Sequence, residues 1–366
     1  MERPVLKPVG TPVEELDTPA LVVDLDILEK NIETVHSFFK GSRAKLRPHV
    51  EAHRCPAIAH KQLSAAGTVG GISVGNVGVA EVFAQQGFSD ILVAAEIVTP
   101  QKIVRLCALA RSTKITVAVD GPDNVKDLSD AARAGGVSLD VVVDVNTGRN
   151  LCGVEPGQPA LELAKAVVGS EGLTFAGLMS IERADLDGDK QAERSKQSIQ
   201  RLLDTRELLE SNGLSVDIVS IGGTHDYEIA GATAGVTEVP AGAYALMDAR
   251  HGPHRPQLTP AARVMATVTS RPEPGVVILD SGKKAIGDDT GMPLAEALPD
   301  HTVAALSAEH GRLMVEDGDS DLRLGDKVWL TPWDLGASAN VYDFMQCVRN
   351  GRLEAVFDVA ARGRYR

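Results

Sequence analysis

The stretch Arg47-Pro48-His49-Val50-Glu51-Ala52-His53-Arg54 sets two imidazoles around a carboxylate at two-residue spacing. On an extended backbone side chains alternate between faces, so Arg47, His49, Glu51 and His53 share one face. Imidazole with carboxylate suits proton transfer. It also suits a divalent ion of the Zn, Mn, Fe, Co or Ni type, among which these residues do not choose. Positions i and i+2 on a strand lie ~6.6–6.8 Å apart, a gap that His and Glu side chains can close around one metal. The competing reading is a salt bridge from Glu51 to Arg47 or Arg54. A second stretch, Ser220-Ile221-Gly222-Gly223-Thr224, offers glycine backbone N–H groups and a hydroxyl to a phosphate or another anion. A plain turn after a strand would look the same.

These residues need a scaffold, and the chain supplies a repeating one. Short β-branched runs at 20–25, 45–50, 70–74, 90–95, 114–120, 140–145, 175–180 and 217–222 alternate with stretches of three- and four-residue apolar spacing, such as NVKDLSDAARAGG. That is eight strand candidates before residue 225, and strand–helix alternation implies a parallel sheet with crossover helices. Eight units in roughly 200–250 residues predict an α/β fold of the (β/α)8 TIM-barrel type, with a doubly wound open sheet as the weaker alternative. Strands numbered this way place residues 45–50 second and the Gly222-Gly223 turn after the eighth. Beyond residue 250 the pattern changes to strands joined by turns (PEPG, EDGDSD, RNGR) without long helices. The expected organisation is a barrel over 16–250 and an all-β domain from 251–366, with residues 1–15 adding an edge strand to it.

At 366 residues, 43% hydrophobic and 24% charged, the chain suits one large and one smaller soluble domain. A formal net charge of −13 opposes nucleic acid and anionic membrane as partners. The four cysteines are scattered without a CxxC pair, which suits reduced thiols. No signal peptide is visible at MERPVLKPVG, and no run approaches ~18 apolar residues. The expected setting is cytoplasmic and the expected partner a small-molecule substrate.

Further stretches carry a resemblance: LDTPALVVDLDILEKNI, LRPHVEAHRCPAIA, DVNTGRNLCGV, GLMSIE, SIGGTHDYE, VTEVPAGAYALMD, LDSGKKAIGDD, LSAEHGRL, LGDKVWLTP and VRNGRLEAVFDVAARGR. In this order and spacing they resemble the D-threonine aldolase and D-serine dehydratase-like family, whose barrel is of the alanine-racemase type that carries pyridoxal phosphate (PLP). The resemblance implies that barrel, a C-terminal β-domain and a homodimer. It also implies that Gly222, Gly223 and Thr224 hold the cofactor's phosphate, with Tyr244 among the cofactor-binding residues.

The chain departs from the family where the chemistry is done. The family motif RPHxKxH provides a Schiff-base lysine, and Glu51 stands in that slot. A carboxylate cannot form an imine. Leu151 stands where the family has an arginine, and Ile181 where it has a tyrosine. The family's metal pair falls on Pro332-Trp333-Asp334-Leu335-Gly336, with Asp334 in the histidine slot and Gly336 in the second. Such concerted change points to dismantled PLP machinery. The expectation is a PLP-independent, metal-dependent lyase, by retro-aldol or dehydration, for a small β-hydroxy amino acid or related compound. Its catalytic groups would be Glu51, His49 and His53, and its metal ligands His310 and Asp334. Two alternatives remain: a non-catalytic protein that binds PLP or another phosphorylated ligand, and an isomerase or epimerase.

Overall fold

The computed structural model of the chain describes residues 7–182, 188–316 and 318–366. Residues 1–6 of the expected edge strand and Asp317 of the EDGDSD turn lie outside them. The chain divides into two compact units. One comprises Thr34–Glu51, Ala59–Gly242 and Arg364–Arg366; the other takes Met1–Glu33, Ala52–Ile58 and Ala243–Gly363.

Strand β1 (Ala20–Asp24) and helix α1 (Leu25–Gly41) come first. The strands that follow are β2 (Lys45–Pro48), β3 (Ile72–Val74), β4 (Asp90–Glu96), β5 (Lys114–Val119), β6 (Leu139–Asp144), β7 (Leu173–Met179), β8 (Ile218–Ser220) and β9 (Glu238–Ala241). Between them run α2 (Pro56–Ser64), α3 (Val77–Gln85), α4 (Pro100–Leu109), α5 (Pro122–Gly135), α6 (Gln158–Val168), α7 (Gly188–Ser211) and α8 (Tyr227–Ala232). Local chemistry marks the helix ends. Proline opens α4, α5 and α6, Asn76 caps α3 by accepting the Val79 N–H, and Gly136 closes α5 in the left-handed region at φ 62°.

Strands β2 to β9 pair in parallel in the order β2-β9-β8-β7-β6-β5-β4-β3. Isolated bridges Leu46–Thr68 and His49–Ser73 link the two ends, giving a nearly closed eight-stranded barrel wrapped by helices. The eight strands are not quite the expected eight. The 20–25 run pairs instead with strands of the other unit, and Glu238–Ala241 takes the last place in the barrel. An all-apolar run carries no two-residue period to say which sheet it joins, while the glutamate and proline of Glu238-Val239-Pro240-Ala241 disguise a strand. The 45–50 run is therefore the first barrel strand, and the Gly222-Gly223 turn follows the seventh.

The barrel interior is layered. Near the strand starts, Arg47 Nε donates to Glu238 Oε1 at 2.9 Å and Nη1 to Asp90 Oδ1 at 2.7 Å. Lys114 Nζ lies 3.8 Å from Asp90 and 3.7 Å from Asp140. Above this charged floor Leu92, Ala118, Val142 and Met179 form an apolar plug. Gly71 lets the guanidinium through, since a Cβ there would stand 2.6 Å from Arg47 Nη1 and 2.4 Å from Asp90 Oδ1.

The second unit holds β1, β10 (Ala262–Ser270), β11 (Val276–Leu279), β12 (Leu294–Ala295), β13 (His301–Leu306), β14 (Gly311–Val315), β15 (Lys327–Thr331), β16 (Phe344–Arg349) and β17 (Arg352–Asp358), plus the short helix α9 (Leu335–Ala339). Its core gathers Leu16, Val22, Met265, Val348 and Leu353. Gly10 N–H donates to Leu353 O, and Leu353 N–H to Thr11 O. Among the described residues no helix is long and apolar enough to cross a membrane.

Replacing Arg47 by Met leaves Glu238, 4% exposed, without its partner. Breaking a buried pair from one side costs about 3–5 kcal/mol, so the urea midpoint of Arg47→Met should fall far below that of the parent. A shift within about 0.5 kcal/mol would remove the floor from the account of stability.

Candidate active site

The C-terminal ends of barrel strands are where this architecture places chemistry. The two-residue period carries the inward face from Leu92 through Ala94 to Glu96, from Ala118 to Asp120 and from Val142 to Asp144. Three successive strands thus deliver a carboxylate above the apolar plug. Two of these acids, Glu96 and Asp144, border a cavity of about 190 Å³ lined also by Ala94, Arg149, Cys152 and Ile181, among others. Ligand atoms of Glu96, Asp120 and Cys152 lie within 4.8 Å of one another.

Crowded carboxylates cannot all stay ionised. Burial above all, with Glu96 and Asp120 adding to it and Arg149 opposing, pushes the Asp144 carboxyl up to about 7. Asp144 therefore holds a proton near neutrality. Glu96 Oε1 is buried without a hydrogen-bond partner among the described residues. The Cys152 thiol is raised by partial burial and then by Glu96, Asp144 and Asp120.

A second group gathers beside β7 and β8. Glu182 follows Ser180 and Ile181 at the exit of β7, and His225 and Asp226 sit in the turn after β8. His225 Nε2 lies 3.9 Å from Glu182 Oε2 and 3.5 Å from Asp226 Oδ2. Burial raises the Glu182 carboxyl above its ordinary range; the His225 imidazole opposes this and the Asp226 carboxylate adds to it.

The alternation expected through RPHVEAHR holds only as far as His49. The strand ends at Pro48, and Val50–Ala52 turn in a 3-10 helix, so Glu51 leaves the strand register. Arg47 serves the floor. His49 Nδ1 pairs with Ser73 Oγ at 2.9 Å, and Glu51 Oε1 accepts the Gly75 N–H at 2.8 Å. Both groups thereby meet the end of β3. His53 belongs to the other unit, fully buried, its Nδ1 accepting the Cys55 N–H. In that unit Tyr244 is buried in the 3-10 turn Ala243–Ala245 and His310 is exposed between β13 and β14. Asp334 caps α9 through the Ala337 N–H and lies 3.7 Å from Arg250. Among the described residues, neither His310 nor Asp334 joins a group of three or more side chains at metal-ligand spacing.

A covalent PLP does not fit these residues. Glu51 offers no amine, and Lys45 spends its ammonium on the Phe39 and Ser42 carbonyls. At the expected phosphate cradle the Gly223 N–H already donates to Asp226 Oδ1 at 2.7 Å, so a carboxylate of the chain itself sits where a phosphate would need donors. Gly222 is required by the turn, at φ +97° with Ala230 Cβ only 2.7 Å from a Cβ placed there. The oxygen and nitrogen donors nearby suit a cation instead. Glu96, Asp120, Asp144, Glu182, His225 and Asp226 escaped the sequence reading, though a signal was present. Four runs end on an acid, at Ala95-Glu96, Val119-Asp120, Val143-Asp144 and Ile181-Glu182.

The family described as alanine racemase, N-terminal domain, matches residues 23–249, and a serine dehydratase domain matches residues 261–348. A 3-hydroxy-D-aspartate aldolase of Paracoccus denitrificans (strain Pd 1222) is 33% identical over 97% of this chain and 94% of its own. A D-threonine aldolase of Arthrobacter sp. is 34% identical over 97% of this chain and 95% of its own. The crystal structure of D-threonine aldolase from Filomicrobium marinum superimposes with a TM-score of 0.95 at 35% identity, covering 99% of this chain and 100% of that one. Barrel, second domain and full-length relatives agree: the chain belongs to the D-threonine aldolase and D-serine dehydratase-like family, built on the alanine-racemase barrel.

Proposed function

We propose that the protein is a metal-dependent, PLP-independent lyase that cleaves a small β-hydroxy amino acid, or a related β-hydroxy compound, by retro-aldol. The similar proteins named as aldolases support the reaction class. The observation that carries the rest is a cavity with a carboxyl pushed up to about 7, a second acid and a guanidinium, but no amine among its lining residues.

Arg149 binds the substrate carboxylate through its planar fork of donors. Glu96 takes the proton of the β-hydroxyl as the bond between the α- and β-carbons breaks, releasing an aldehyde. The electron pair left on the α-carbon is quenched by the proton that Asp144 holds. Without an imine to spread that charge, a divalent cation held by the carboxylate and imidazole donors nearby would supply Lewis acidity to the substrate carboxylate. Glu51, with His49, extends the set of proton carriers.

Incubation with β-hydroxy amino acids should release glycine, read by mass spectrometry, even with enough hydroxylamine to capture any PLP. Turnover that requires added PLP would end this reading. Asp144→Asn should lower kcat by about 10²–10⁴-fold. As an acid, Asp144 acts only while protonated, so kcat should fall as pH rises through about 7. Its pKa is raised from 3.8, so the matching contribution to stability is complete below about 4 and lost as pH rises through about 7. Asp144→Asn should flatten the thermal-stability profile across that window, and an unchanged slope would contradict the assignment. Glu51→Gln keeps an acceptor for the Gly75 N–H and should fold while losing turnover; full activity in that variant removes Glu51 from the chemistry.

A further inference from the structure

We propose that Glu182, His225 and Asp226 form a buried binding site for one divalent transition-metal ion. The inference deepens the metal dependence proposed above and rests on that reading only for the ion's role, not for its binding. The side chains of Glu182, His225 and Asp226 are 2%, 6% and 1% exposed. Both Glu182 carboxylate oxygens and Asp226 Oδ2 are buried and make no hydrogen bond among the described residues. The 3.9 Å separation of Glu182 from His225 is too long for a hydrogen bond. Leaving buried carboxylate oxygens unserved is costly, and two such groups beside one imidazole call for added positive charge.

The spacing fits an ion. One donor atom from each residue lies within 4.8 Å of the others, and the two distances from His225 Nε2 are 3.5 and 3.9 Å. Ligands held at about 2.1 Å around a tetrahedral zinc stand ~3.4 Å from one another, so small side-chain adjustments close the set. Asp226 is already oriented: the Gly223 N–H holds Oδ1, which leaves Oδ2 to face the cluster, as outer-shell donors do for metal-ligating carboxylates. Two carboxylates and an imidazole select Zn, Mn, Fe or Co over Mg or Ca. Three protein ligands leave positions open for water or a substrate oxygen, as in catalytic rather than structural sites. The turn expected to grip a phosphate thus carries the opposite charge and recruits the opposite ligand.

The full-length protein, stripped with a chelator and dialysed, is titrated with ZnCl2, MnCl2 and CoCl2 by calorimetry. The expected result is one tight equivalent, weakened at least about 10-fold in both Glu182→Gln and His225→Asn, with circular dichroism confirming that the variants fold. Cys152→Ser tests the other cluster and should leave this binding as it is. The cobalt form should show d–d bands without a thiolate charge-transfer band, a readout that needs no variant. No stoichiometric binding would overturn the proposal, leaving a shared proton to neutralise the cluster. Binding that survives both substitutions, or disappears with Cys152→Ser, would also overturn it. Metal bound here without lyase turnover defeats the functional reading and leaves this site standing; turnover with no metal at these residues does the reverse.

Discussion

The barrel depends on one buried guanidinium. Among the described residues, strands β2 and β3 meet at a seam of isolated bridges, Leu46–Thr68 and His49–Ser73, rather than a ladder. Arg47 spans that seam. It bonds Glu238 on β9 to one side, the Ile72 carbonyl on β3 at 3.4 Å, and Asp90 on β4 beyond it. Hydrogen bonds along a parallel edge could not do this with a strand of three residues. A planar, always-charged fork can, because its donors diverge toward several acceptors at once. Gly71 is the matching concession on the other side, a position with no side chain to obstruct the fork.

Everything above the floor follows from keeping the barrel closed. With the strand starts fixed and the middle filled by Leu92, Ala118, Val142 and Met179, strand periodicity, with a register shift between Val93 and Glu96, sends Glu96, Asp120 and Asp144 to the same rim. Burial at that rim raises Asp144 most, and the neighbouring Glu96 and Asp120 add to it. The acidic character of the rim is therefore a by-product of rigidity below it. Carboxylates on a looser scaffold would move apart, and each would then ionise as it does in water.

The barrel and the second domain were legible in the sequence because apolar runs, helix periods and turns agreed along most of the chain. The first and last strands were not. Ala20–Asp24 is buried on both faces, which hides its sheet, and Glu238 and Pro240 mask the strand that closes the barrel. In the site, parity read Arg47 and His49 correctly and failed at Glu51, where the tight turn Val50–Ala52 resets which way a side chain points. Nothing in residue type announces such a turn. The acids at the strand ends were visible letters, but their meaning depends on the register between strands, which one sequence does not print.

The floor's charges do not cancel. Arg47 and Lys114 offer two positive charges to Glu238, Asp90 and Asp140, which bring three negative ones. The rim adds further acids, set against Arg149 as the one cation among the cavity's lining residues. The barrel axis is thus negative from end to end, inside a protein of formal net charge −13. Such a field acts as a filter before any binding contact forms: it draws in cations, tolerates zwitterions, and turns back doubly anionic molecules unless they arrive already neutralised by a counterion.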